Sequence, residues 1–209
     1  MIVLQPVVET CPAEGFDLWP VAPYEPYGFL PLSGAMSPAE VGLAVMCVAA
    51  CNNVEEAPRS GDPLGDFLRG LLTLDDLYAA GGLRVTDTAT GLALTPGCRN
   101  GLDERGDWDA VLDVRGRAGF GHDPSPLAER VGATVRLTPD TEQPDSPVIE
   151  LPVDTLPLLL AGAERDLADF LRLATDWAAA HLADRAAPVS AALARALAVP
   201  LGTEPGGLG

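Results

Sequence analysis

The side chains best suited to reaction chemistry in this 209-residue chain are one cysteine and one histidine. Cys98 lies in Pro96-Gly-Cys-Arg-Asn-Gly101, after an expected strand and just before an expected helix over 102–112. A thiol there feels the positive end of a helix dipole and the charge of Arg99, both of which favour the thiolate. His122, in Gly119-Phe-Gly-His-Asp-Pro-Ser-Pro126, suits the role of base, with Asp123 or Asp107 orienting its ring. That is the equipment of a small thiol-dependent hydrolase or transferase. The same residues also read structurally: Pro-Gly and Asn-Gly are turn signals, His-Asp-Pro is a loop, and a single cysteine suits a core.

Other reaction chemistries find less support. Cys47 and Cys51 stand at i and i+4 of an expected helix, but without a second cysteine pair or a nearby histidine they make no zinc site. His181, on the apolar face of the last long helix, reads as a core residue. Asp103, Glu104, Asp107, Asp109 and Asp113 would form rows on a helix, which read as a solvated face. The expectation is therefore no metal. All thirteen basic residues are arginine, so lysine-based Schiff-base, pyridoxal and Walker chemistry is excluded. No glycine-rich dinucleotide loop or nucleophile elbow occurs, and no cofactor is expected.

The best candidate binding surface is Phe16-Asp-Leu-Trp-Pro-Val-Ala-Pro-Tyr-Glu-Pro-Tyr-Gly-Phe29, which holds five of the eleven aromatic residues. Trp19, Tyr24, Tyr27 and Phe29, with Trp108 farther on, are its candidate contact residues. Tyr and Trp carry much of the energy at protein interfaces because they bury large rigid areas. The competing reading is that these rings clamp a long loop onto the core.

Pro-Gly-Cys…Asn-Gly-Leu-Asp…Asp-Trp, followed by Gly-His-Asp-Pro-Ser-Pro, resembles actinobacterial proteins of streptomycete type, over roughly residues 95–140. Those proteins often carry a second cysteine where this chain has Arg99, and tryptophan where it has Phe120. The resemblance implies an origin and a recurring motif, and it transfers no activity.

Composition sets the frame for these residues. Missing lysine and scarce isoleucine (only Ile2 and Ile149) fit a high-GC genome. The net charge of −17 divides into −6, −8 and −3 over residues 1–61, 62–150 and 151–209, so no acidic tail stands out. Such a chain repels nucleic acid and anionic membranes, and suits a basic protein partner. The N-terminus has no signal-peptide pattern, the longest apolar run (Val41 to Cys51) is too short to span a bilayer, and free cysteines fit a reducing cytoplasm.

The expected elements begin with a strand over 2–8. Ser37-Pro-Ala-Glu40 is a capping box opening a helix that is apolar all round, and Asp62-Pro63 opens a second. A short third helix follows Thr73 and stops at Gly81-Gly82. A hairpin spans 83–95, and Val135 and Leu137 alternate in a strand paired with 148–151. The C-terminal third is helical, with Leu167, Phe170, Leu171, Ala174, Trp177 and Ala178 on one face.

The sum is a single α+β domain over 1–200: a small, mainly antiparallel sheet with helices packed on one side and a helical C-terminal third. Its parts are a strand with a proline and aromatic loop (1–36), a helical part (37–80), a sheet-forming part (81–151), helices (154–198) and a flexible tail (201–209). With no complete catalytic set, the expected function is that of a soluble, acidic, non-enzymatic protein-binding or accessory factor of immunity, antitoxin-like or regulatory kind. The alternative is the Cys98/His122 enzyme.

Overall fold

The computed structural model describes residues 1–13, 15–54, 60–114 and 116–200. The expected tail, 201–209, lies outside them. The fold is α+β, as expected. It departs from the expectation in having two antiparallel four-stranded sheets instead of one.

The first sheet has the order β2-β1-β3-β4, from β1 (Ile2–Glu9), β2 (Phe29–Pro31), β3 (Gly81–Asp87) and β4 (Ala93–Leu94). The second is a simple meander of β5 (Arg117–Gly119), β6 (Leu127–Val131), β7 (Thr134–Thr138) and β8 (Ile149–Pro152). In β7 and β8, Val135, Leu137, Ile149 and Leu151 point inward. Arg136 and Glu150 face each other across the strands on the wet side, with 3.3 Å between charged atoms. That cross-strand pair and the alternation select the same register.

Ser37 and Glu40 form the expected capping box of α1 (Pro38–Cys51), and Asp62 caps α2 (Pro63–Thr73). No third helix follows. Leu74 turns the chain to extended backbone, and Gly81-Gly82 opens β3 instead of ending a helix. A side chain at Gly81 would come within 2.1 Å of the Val7 carbonyl oxygen, so glycine permits this close pairing with β1. The expected helix over 102–112 is a 3-10 helix (Leu102–Leu112), in which i and i+3 align. The carboxylate rows expected at i and i+4 therefore do not form; Asp103, Glu104, Asp107, Asp109 and Asp113 are all exposed.

Two hydrophobic cores result. One gathers α1, α2, α3 (Leu156–His181) and α4 (Ala186–Ala196); the other lies between the second sheet, β1, β3 and the 3-10 helix. The 26 residues of α3 serve both, with Leu156 and Ala163 in the second core and Leu167 to Ala178 in the first. Arg105 locks the 3-10 helix to α3 and to the end of α4. It donates to both Glu164 carboxylate oxygens, at 2.6 and 3.1 Å, and to the carbonyls of Leu102, Leu197 and Ala198.

In α1 every residue from Val41 to Ala49 is buried, as its all-round apolarity requires. The segment between β1 and α1 covers one side of it. Ala22 N–H donates to the Ala39 carbonyl at 2.9 Å, and Trp19 Nε1 donates to the Gly42 carbonyl at 2.9 Å. A methyl group at Gly42 would stand 2.6 Å from the Pro20 carbonyl oxygen and 3.1 Å from the Trp19 ring. Gly42→Ala is expected to lower stability by about 1–3 kcal/mol through overpacking. Gly106→Ala, with open space around the new methyl, is expected to be near neutral. Urea unfolding of both variants checks the contrast.

Candidate functional site

The two loops that carry Cys98 and His122 do meet. Trp108 of the 3-10 helix stacks on Phe120, with centroids 4.3 Å apart and planes 13° from parallel. Two residues on from Phe120, His122 pairs with Cys98 as an isolated antiparallel bridge. Cys98 N–H donates to the His122 carbonyl at 2.6 Å, and His122 N–H donates back to the Cys98 carbonyl at 3.2 Å. Residues that exchange both bonds lie directly opposite, with side chains on one face of the ladder. The Cys98 Sγ lies 3.8 Å from the Asp123 carbonyl oxygen, and His122 Nδ1 lies 3.2 Å from an Asp123 carboxylate oxygen.

Asp123 therefore holds the imidazole, while Asp107, exposed on the 3-10 helix, is not its partner. Both Cys98 and His122 are exposed. Arg99 and Asp123 sit at positive φ (64° and 49°), an uncommon conformation for residues with a side chain. Asn100 anchors the turn by donating to the Gly81 carbonyl at 2.7 Å and accepting from the Tyr78 hydroxyl at 2.8 Å. Burial, with nearby acidic groups, pushes the Tyr78 phenol up to about 12, so it remains a donor at neutral pH.

The aromatic segment divides. Trp19 is buried, 6% exposed, among Phe16, Phe67 and Trp177 at centroid distances of 4.8, 5.7 and 5.4 Å. Trp108 is buried at 1%. Both are core residues and not the surface contacts expected: Trp19 belongs to the helical core and Trp108 to the core of the second sheet. Tyr24 and Phe29 are half-buried, and Tyr27 is 72% exposed.

Thr10, just past β1, determines how Tyr27 is displayed. Tyr27 N–H donates to the Thr10 carbonyl at 2.6 Å, and Thr10 N–H donates to the Gly28 carbonyl at 2.9 Å. The Thr10 hydroxyl donates to the Glu25 carbonyl at 2.6 Å and accepts from Gly28 N–H at 2.9 Å. These four bonds hold Tyr27 at φ 62°. Such a conformation costs about 1–3 kcal/mol, which four hydrogen bonds of about 1 kcal/mol each offset. Beside the turn is a cavity of about 300 Å³ lined by Thr10, Tyr24, Glu25, Phe29 and Glu40 among others. Hydrogen bonds from the Ser37 hydroxyl, then from its backbone N–H, hold the Glu40 carboxyl below its ordinary range, so it stays ionised there.

His181 is exposed instead of core. It stacks on Trp177 at 4.7 Å, and its Nδ1–H donates to the Trp177 carbonyl at 2.8 Å. Among the described residues, no group of three or more His, Cys, Asp or Glu side chains is placed to hold a metal ion, and no helix is long and apolar enough to cross a membrane. Residue types singled out Cys98, His122 and Tyr27. The role of Thr10 had no signal in the sequence, because its partners lie 15 and 18 positions away. Comparison with protein-family models, curated proteins and solved structures finds no match.

Proposed function

We propose that this chain works by binding another protein, through the aromatic and acidic surface built from Tyr24, Tyr27 and Phe29 with Glu25 and Glu40. The observation that carries the reading is Tyr27: a largely exposed ring on a turn fully bonded to Thr10. A ring already held in place loses little conformational freedom when a partner covers it, so more of its buried area becomes affinity. Glu25 and Glu40, at the cavity beside this turn, favour a basic partner segment whose arginine or lysine can lie on an aromatic face and pair with an acid.

The net charge of −17 speeds the approach of such a partner and opposes direct contact with nucleic acid or an anionic membrane. The role is that of a non-enzymatic accessory factor of immunity, antitoxin-like or regulatory kind. The four free cysteines fit the reducing cytoplasm of a bacterium, and the arginine-only composition fits an actinobacterial one. On an array of short peptides of graded charge, the protein is expected to retain basic sequences and lose about tenfold in affinity on Tyr27→Ala, one hot-spot ring being worth about 1–2 kcal/mol. Equal retention by the variant, or no preference for basic peptides, would contradict the reading.

A second reading is favoured by the bridge between Cys98 and His122: a small thiol-dependent hydrolase or transferase. In it Cys98 is the nucleophile, His122 takes its proton, and Asp123 orients the ring. Its test is the rate of Cys98 alkylation by iodoacetamide at neutral pH. Catalytic pairing predicts a several-fold slowing on His122→Ala and on Asp123→Asn. An unchanged rate in both variants removes it.

A further inference from the structure

A second cavity, of about 810 Å³, shares no lining residue with the one beside Tyr27. Its volume lies within the range of small-molecule sites. It is lined by Cys11, Phe16 and Asp17 from the segment after β1, by Cys51 and Asn53 at and just past the end of α1, and by Phe67 of α2. Three stretches distant in sequence thus share one space, and packing sets its aromatic wall. The Phe16 and Phe67 rings meet with centroids 5.2 Å apart and planes at 59°. Both also contact the Trp19 ring, whose indole is bonded to the Gly42 carbonyl of α1. Rings held in this way keep the wall formed before a ligand enters, which lowers the cost of binding.

The charges around this space have one sign. Asp17 lines it, no basic residue does, and among the described residues no ion pair neutralises Asp17. Ala50 and Cys51, also at the wall, belong to the last turn of α1, which contains no basic residue. The negative end of that helix dipole therefore lacks a cation from its own side chains. The positive end of α2, at Pro63, is already met by the Asp62 cap, which accepts from Gly65 N–H at 3.1 Å, and by Asp66 in the first turn. An aromatic wall with a carboxylate and a helix C-terminus suits a cation with an apolar body and disfavours an anion.

We propose that this cavity is a binding site for a small organic amine, an aromatic ring carrying one ammonium group on a short chain. The ring packs against Phe16 and Phe67, and the ammonium takes Asp17 as its counter-ion beside the end of α1. Asn53 adds an amide at the same wall, with an acceptor for a further ammonium N–H. The site is separate from the Tyr27 surface, so a bound amine leaves that surface open. Cys11 and Cys51 border the cavity and report its occupancy, whereas Cys98 is exposed on the loop pair outside it.

The test uses two probes of similar shape and opposite charge, tryptamine and indole-3-propionate, on the reduced full-length chain. Equilibrium dialysis is expected to show tryptamine binding in the millimolar range or tighter, about tenfold more tightly than indole-3-propionate. N-ethylmaleimide alkylation, mapped by mass spectrometry, then locates the bound amine. At about three times its dissociation constant, tryptamine slows alkylation of Cys11 and Cys51 about fourfold, as occupancy requires, and leaves the rate at Cys98 unchanged. Asp17→Asn, at an exposed position that keeps the side-chain shape, is expected to weaken tryptamine about threefold and to narrow its advantage over indole-3-propionate. Absence of tryptamine binding would overturn the proposal. Equal binding of the two probes would do the same, as would bound tryptamine that leaves Cys11 and Cys51 alkylation unchanged.

Discussion

The rest of the structure depends on the burial of α1. A helix that is apolar on every side can be stable only if other elements cover every side, because each exposed strip returns apolar surface to water at about 25 cal/mol per Å². The helices α2, α3 and α4 cover part of it, and β1 covers more. What remains is covered by the segment leading into α1, which is held to it by Ala22, by Trp19 and by close contact at Gly42. A segment rich in proline, with few backbone donors to spend on a sheet, suits that task.

Two consequences follow for function. Laying the segment along α1 turns Trp19 and Phe16 inward, and the chain then turns back at Tyr27, bonded to Thr10, to enter β2. The aromatic residues are thereby sorted: Trp19 becomes core, Phe16, Tyr24 and Phe29 are half-buried, and Tyr27 stays at the surface on a rigid turn. The same course brings Cys11 to a cavity that Cys51 of α1 also lines. The Cys98 and His122 bridge lies at the surface, two residues on from Phe120, which stacks on Trp108 in the other core. The chain therefore carries two separate thiol environments, one exposed on a loop pair and one at a cavity wall.

Signals confined to a few neighbouring residues were legible. Ser37 with Glu40 and Asp62 with Pro63 mark helix starts because the capping partners lie within one turn. Val135 and Leu137 mark β7 because one face is buried and the other wet. Strands β2 and β5 were not legible, since three residues are too few to show a period of two. Thr73 and Asp76 mimic a capping box, but the Tyr78 backbone is drawn into hydrogen bonds with the Asn52 side chain, 26 positions away. In the candidate sites the residue types were visible and the company they keep was not. Nothing near Trp19 in the sequence tells that its indole will donate to Gly42, and nothing near Cys11 points to the cavity it shares with Cys51.

Amide hydrogen exchange at residues 22, 27 and 28 tests most directly whether α1 fixes this segment. Ala22 N–H donates to Ala39 in α1, while Tyr27 and Gly28 N–H donate to Thr10. If the segment is an integral cover of α1, these three amides exchange far more slowly than open loop amides, and in step with the Val41–Ala49 amides as stability is lowered with denaturant. Exchange of the three at unprotected rates, with the amides of α1 still protected, would show that the helix is buried without this segment. It would leave Tyr27 on a free loop.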